Sequence, residues 1–301
     1  MEILTDNAGF CLGIARAYRK MNERALDEGA FHVTHQNAGG DFDTLTRIAR
    51  RDKELLAEYP GLGELSVVRD VSTLGEGDRL VLGFHGLNKD TKQDLAARGV
   101  DLVEDLTCLF IAKLDKMVER LARDGFDIAI VGTKDNHHCN VARKIAGEHG
   151  RRCFVIEQVG DLDAVPAEPG RPVALVGQVT GNTQVFTEVL ARIRATSAPI
   201  KVVKTMCSDS YGRQRAAVDL AQQADLVILL DDGGGAAQSL FEVCTRTNKP
   251  VHRVRSKEEI QPHWFDGAQR TAVVGGILVP SWAIAETARH IEAMTRQAVP
   301  A

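Results

Sequence analysis

Three of the six cysteines in this 301-residue chain sit in the same local setting, and that repetition limits the fold more than any other feature. The apolar run 2–4 leads into Asn7-Ala8-Gly9-Phe10-Cys11-Leu12-Gly13, and a helical pattern follows over 14–26. Residues 100–106 read as a strand, Cys108 follows, and 109–122 read as a helix. Residues 200–204 read as a strand, Cys207 follows, and 211–224 read as a helix. The cysteines lie 97 and 99 residues apart. Three similar units, each placing a thiol where a strand hands over to a helix, are the expected organisation.

A helix N-terminus offers unpaired N–H groups and the positive end of the helix dipole, both of which favour thiolate. Three thiolates meeting at one point suit an iron–sulfur cluster that leaves one iron without a protein ligand. Buried free cysteine is common in ordinary cores. That bland reading holds for any one of these cysteines and weakens for the set, because the setting recurs at near-equal spacing. The expected fold is α/β, a trefoil of three pseudo-repeated units with small, mostly parallel sheets around a central cluster. The expected boundaries are 12–107, 108–206, and 207–301 joined by 1–11.

Composition supports this class. Hydrophobic residues make up 44% and aromatics only 5%, which fits α/β better than a sandwich. A formal charge of −4 supplies no basic surface for nucleic acid. No apolar run has the length of a membrane span. The opening Met1-Glu2-Ile3-Leu4-Thr5-Asp6 reads as a strand and lacks the basic and apolar regions of a secretion signal. Six cysteines without such a signal imply reduced thiols in the cytoplasm. A monomer is expected.

Short apolar runs at 31–34, 65–68, 80–84, 127–131, 153–156, 173–176, 226–230, 251–254 and 272–279 alternate with helical patterns at 42–51, 90–98, 141–149, 184–195, 238–247 and 281–296. This alternation argues for βαβ units and parallel sheets. Such folds place their sites in loops after the carboxyl ends of strands. The polar stretches 83–88, 132–139, 177–182 and 231–235 fall there. His137-His138-Cys139 has no second Cys/His pair at finger-like spacing, which argues against zinc. The pair opens a helix, so a substrate or proton-transfer role stays in view. Gly233-Gly234-Gly235 lacks the spacing of a dinucleotide fingerprint and the P-loop lysine. Cys153 and Cys244 read as core, and Cys139 is open.

Taken together, the cysteine segments resemble the LytB/IspH family, the 4-hydroxy-3-methylbut-2-enyl diphosphate reductases. The residues around Cys11 resemble its opening motif, and Asp105-Leu106-Thr107-Cys108 with Lys113 resembles the second. Cys207 with Arg213-Gln214 resembles the third, and Phe84-His85-Gly86 resembles its His-Gly loop. The resemblance implies a 4Fe–4S cluster held by Cys11, Cys108 and Cys207, with His85 facing the substrate. It also implies reductive removal of an allylic hydroxyl bound through oxygen at the open iron, with electrons from a ferredoxin or flavodoxin.

The departures from the family cluster where it grips its diphosphate. Its first histidine-rich loop reads His35-Gln36-Asn37-Ala38-Gly39-Gly40, with Gly39 in place of the contacting histidine. Its His-Pro-Glu becomes Asn136-His137-His138, and its Gln-Thr-Thr becomes Gln178-Val179-Thr180. Its Ser-Ser-Asn falls on Gly234-Gly235-Ala236, its late serine on Leu278, and a threonine on Ser210. Each charge-assisted hydrogen bond lost costs on the order of 1.5–3 kcal/mol.

The leading expectation is therefore an iron–sulfur reductase that removes a hydroxyl from a small, non-diphosphate substrate. His85 and His138 would be catalytic, with His137, Gln178, Thr180 and Ser210 lining the pocket. The alternatives are a genuine diphosphate reductase, a non-catalytic redox-sensing or electron-carrying cluster protein, and a hydro-lyase using the iron as Lewis acid.

Overall fold

The computed structural model describes residues 1–6, 8–34, 48, 51–166, 168–196 and 199–297. The chain folds into two compact units. One comprises Met1–Cys108, Gln223–Ala237 and Lys249–Ala301, and the other Leu109–Gln222 and Gln238–Asn248.

The first unit holds two sheets of four parallel strands. One runs β1 (Glu2–Thr5), β12 (Arg270–Gly275), β10 (Leu226–Leu230), β11 (Val251–Val254), so the first strand of the chain pairs with the last. The other runs β3 (Ser66–Val68), β2 (His32–Thr34), β4 (Arg79–Leu82), β5 (Asp101–Asp105). The second unit holds the third sheet, β7 (Cys153–Ile156), β6 (Asp127–Val131), β8 (Val173–Gly177), β9 (Ile200–Val202), again parallel throughout. Every residue of β6, β8 and β10 is buried, as interior strands covered on both faces require. Their sequences DIAIV, VALVG and LVILL are apolar throughout, apart from the buried Asp127 that opens β6, for that reason.

Among the described residues the helices are α1 (Leu12–Glu28), α2 (Lys53–Glu58), α3 (Lys89–Ala97), α4 (Leu109–Arg123), α5 (His137–Glu148), α6 (Thr183–Thr196), α7 (Ser208–Gln223), α8 (Gly235–Thr245) and α9 (Ser281–Gln297). Helix α1 buries Ile14, Tyr18, Met21 and Ala25, one stripe at helical spacing. The ring of Phe10 meets Tyr18 edge-on at 5.1 Å and closes the top of that stripe. No helix among the described residues is long and apolar enough to cross a membrane.

Expected and observed elements differ mainly at their ends. Helix α5 begins at His137, four residues before the expected start, because the Asn136 side chain caps it by accepting the His138 N–H at 2.9 Å. Helix α7 begins at Ser208, directly after Cys207, and α8 at Gly235. Strand β4 ends at Leu82, since residues 83–86 close a turn through Gly86 N–H to Gly83 O at 2.9 Å. The run expected at 272–279 stops at Gly275. Beyond it the chain is held by loop bonds, described below, that a strand could not make. The helix expected at 42–51 lies outside the described residues except Ile48 and Arg51.

Candidate active site at the strand-end loops

In the first unit Cys11 is the N-cap of α1, and its Sγ accepts the Ile14 N–H at 3.4 Å. Its own N–H donates to Ile277 O at 3.1 Å. Cys108 ends the loop after β5, with its N–H on Phe84 O at 2.7 Å. Both thiols face Gly13. A Cβ there would stand 3.3 Å from Cys108 Sγ and 3.8 Å from Cys11 Sγ, so a side chain would fill the space in front of both sulfurs. Two half-buried thiols beside a helix N-terminus are donors of the soft type that iron or an iron–sulfur core takes.

The His85 turn is fastened to the same loop. Gly86 has φ +71°, and a Cβ there would collide with Thr107 Oγ1 at 2.3 Å, so only glycine serves. Thr107 is pinned in turn by Asp105, which accepts its N–H at 3.0 Å and its hydroxyl. Asp105 also pairs with Lys92 at 2.6 Å. Partial burial would raise its pKa, but Lys92 and the Thr107 donors outweigh that and hold the carboxyl below its ordinary range. His85 is half-buried, its ring edge-on to Phe84 at 4.2 Å.

In the second unit Cys207 sits just before α7, its N–H on Val179 O at 2.9 Å. The preceding Thr205 is locked onto Gly177, donating to its carbonyl at 2.6 Å and accepting its N–H at 2.9 Å. Gln178 is wholly buried. Its Oε1 accepts the Thr133 N–H at 3.0 Å and lies 3.5 Å from Cys139 Sγ, while its Nε2 faces Thr180 Oγ1 at 3.5 Å. Ser210 is buried and accepts from Gln214 Nε2 at 3.3 Å. That same amide donates to Gly181 O, and its Oε1 accepts both donors of Thr183. His138 is buried in the first turn of α5 while His137 beside it is exposed, their ring centroids 5.7 Å apart.

The structure thus brings together Cys11, Cys108 and the His85 turn in one unit. In the other it joins Gln178 to Thr180, and the Cys207 and Ser210 segments to the loop after β8. Among the described residues no three His, Cys, Asp or Glu side chains form a metal-holding group. His35, with Gln36 to Gly40, lies outside the described residues. Cys153 is in β7 and Cys244 is buried in α8, as expected. Cys139 is also sealed, and burial above all pushes its thiol up to about 12.

Sequence reasoning named Gln214 only as part of its motif and left Cys139 open, and it missed Asp232 as a builder of these loops. Asp232 is wholly buried after β10. Its Oδ1 accepts the Gly234 N–H and its Oδ2 the Leu278 N–H, both at 2.9 Å. A Cβ at Gly276 would lie 2.2 Å from that oxygen, which is why the chain past β12 must turn there. Two adjacent acids ending an all-apolar strand were the available signal.

Parallel sheets with thiols and buried polar groups in the loops at their carboxyl ends have the architecture of an α/β enzyme, which places its site in such loops. A sequence model of the LytB protein family matches residues 3–292, and the chain belongs to that family. A protein of Aquifex aeolicus is 28% identical over 303 residues, covering 96% of this chain and 95% of its own length. One of Anaeromyxobacter sp. strain Fw109-5 is 27% identical, with both chains covered end to end. Both are named 4-hydroxy-3-methylbut-2-enyl diphosphate reductase. The solved E-1-hydroxy-2-methyl-but-2-enyl-4-diphosphate reductase of Plasmodium falciparum superposes with a TM-score of 0.77 at 17% identity, covering 96% of this chain and 86% of that one. A second solved structure, of the (E)-4-hydroxy-3-methyl-but-2-enyl diphosphate reductase, gives a TM-score of 0.56 at 22% identity, with 98% and 99% covered. The α/β fold of small parallel sheets is shared with both.

Proposed function

We propose that this protein is a 4Fe–4S reductase acting on 4-hydroxy-3-methylbut-2-enyl diphosphate. The relatives favour this reading over the non-diphosphate substrate expected first from the sequence. The observation that carries it is the family match across residues 3–292, with the Cys11 and Cys108 thiols set on either side of Gly13.

Cys11, Cys108 and Cys207 would hold the cluster. When bound, it supplies electrons and a Lewis-acidic iron. The reaction breaks the allylic C–O bond and forms a C–H bond. Two electrons and two protons are taken up, and the oxygen leaves as water. His85, fixed through Phe84 and Gly86 to the Cys108 loop, orients the substrate. His138, where the family is expected to have its acid, holds the proton for the departing oxygen. Gln178 and Thr180 offer a fixed amide and hydroxyl, and Ser210 a hydroxyl set by Gln214. The electrons come from a small acidic carrier of the ferredoxin or flavodoxin type.

A second reading, a substrate without a diphosphate, is favoured by one observation. The backbone donors of Gly234 and Leu278 already bind the chain's own carboxylate, Asp232, so they are committed before any anion arrives. Protein purified without oxygen and supplied with iron and sulfide separates the two, using reduced methyl viologen as donor. Turnover of the diphosphate and not of the free diol supports the first reading, and the reverse supports the second. Protein that takes up no iron refutes both.

A further inference from the structure

Cys11 and Asp232 grip opposite ends of one peptide group in the first unit. The Cys11 N–H donates to Ile277 O at 3.1 Å, and the Leu278 N–H donates to Asp232 Oδ2 at 2.9 Å. That carbonyl and that N–H belong to the single planar unit between residues 277 and 278, so neither can turn without the other. It is the middle peptide of a turn closed by Val279 N–H on Gly276 O at 3.2 Å. Which way a middle peptide faces is what separates one turn type from another. The free choice of that direction is removed by the carboxylate.

The carboxylate is itself well fixed. Its Oδ1 accepts the Gly234 N–H at 2.9 Å, and Gly276 N–H donates to Leu230 O at 3.1 Å. The segments joined in this way follow β10, β12 and β1, which are neighbours in one parallel sheet. The Leu278 side chain is buried in the same apolar core as Ile14, Phe84 and Leu106, and Cys11 and Ile277 pack against that core.

A second carboxylate shows that bracing these strands does not require burial. Asp225, just before β10, accepts the N–H groups of Gln269 and Arg270 at 2.8 and 2.9 Å from an exposed position at the other end of the sheet. Asp232 makes its two bonds at 0% exposure. Taking a carboxylate out of water is costly, and hydrogen bonds in that interior are stronger and less tolerant of misalignment. The interior brace is the one whose chain of bonds ends on a candidate ligand.

We propose that Asp232 is a positioning residue for the cluster ligand Cys11, acting through the peptide between Ile277 and Leu278. The inference rests on the proposed cluster reductase. Asp232 sets the direction of the Ile277 carbonyl, the carbonyl sets the Cys11 backbone at the start of α1, and the backbone aims the thiol.

The test begins with amide hydrogen exchange in metal-free wild type, where the Cys11 and Leu278 amides should exchange within about threefold of each other because one opening frees both. Asp232→Asn keeps the shape but turns an NH2 group toward one of the two donors. It should speed Cys11 exchange about tenfold or more and, in reconstituted holoprotein, alter the electron paramagnetic resonance signal of the reduced cluster. With methyl viologen as donor, kcat should fall about tenfold while KM for the diphosphate stays within about twofold. Asp225→Asn is the control: it should lower the urea midpoint and leave Cys11 exchange and the resonance signal at wild-type values. Unrelated exchange rates for Cys11 and Leu278 in wild type overturn the inference, and do so even where Asp232→Asn fails to fold. Unchanged exchange and signal in Asp232→Asn also overturn it, as does Asp225→Asn reproducing the same changes. A change confined to KM overturns it too, since Asp232 would then face the substrate. Wild type that takes up no iron defeats the proposed function together with this inference, whereas iron-loaded, active wild type with indifferent variants defeats this inference alone.

Discussion

Cys108 and Cys139 both follow a parallel strand near the start of the next helix, Cys108 just before it and Cys139 in its first turn, yet their surroundings are opposite. Cys108 is half-buried and faces a second thiol across Gly13. Cys139 is sealed, with its Sγ 3.5 Å from the buried Gln178 carboxamide and a Cβ at Gly132 only 2.8 Å away. One glycine keeps space open in front of sulfur, and the other lets sulfur and amide close over it. The junction alone therefore does not decide whether a thiol stays open. Packing on the far side of the thiol does, by leaving an approach to one sulfur and giving the other a partner.

The largest expected difference is in reactivity. In metal-free protein at pH 8, iodoacetamide should label Cys11, Cys108 and Cys207 at least about 100-fold faster than Cys139 and Cys244, as read by mass spectrometry. The latter two thiols are buried and pushed up to about 12, so almost no thiolate is present there. Equal labelling of Cys108 and Cys139 would erase the distinction. Next come the two glycines. Gly132→Ala drives a methyl into Gln178 Oε1 at 2.6 Å and should cost about 3 kcal/mol in urea unfolding. For Gly13→Ala the nearest atoms are the two thiols, at 3.3 and 3.8 Å, so it should leave the metal-free protein near wild-type stability and lower its iron content.

A smaller effect tests the second unit at the far end of its sheet from the Cys139 loop. Burial raises the pKa of Asp127, but hydrogen bonds from Arg171 and Arg152 outweigh it and bring the carboxyl down to about 2. A lowered carboxyl stabilises the fold above its unfolded pKa and loses that contribution as pH falls. Wild type should therefore lose about 1–2 kcal/mol more than Asp127→Asn between pH 4 and 2, after allowance for screening at the partly exposed arginines, since other lowered carboxyls such as Asp105 titrate in both. Least of all, Cys139→Ala should cost about 1 kcal/mol by removing a donor to Gln178, and Cys139→Ser should recover part of it by keeping one. A serine variant no better than alanine would mean that the thiol only fills space.

Much of the fold was legible. The runs at 127–131, 153–156, 226–230 and 251–254 coincide with strands, because apolar β-branched stretches bounded by turns have one stable use in an α/β protein. Less legible were the ends. The starts of α5 and α7 fell to caps and loop bonds that hydrophobic period does not register, and β12 stopped early because Asp232, some forty residues away in sequence, claims the Leu278 N–H. The site was legible as a set of residue types in loops and not as a network. Gln178 stood out by its motif, but that Cys139 and Thr133 fix its amide depends on contacts between segments about forty residues apart.

Sequence alone determined the alternation of buried strands and amphipathic helices and the placing of a cysteine at three junctions, since both follow from local period and spacing. Tertiary structure decided which thiols stay open and which amides are locked. It also decided which backbone donors are already taken by a carboxylate. Those outcomes depend on what a distant segment brings within about 3–4 Å, a quantity that no local pattern encodes.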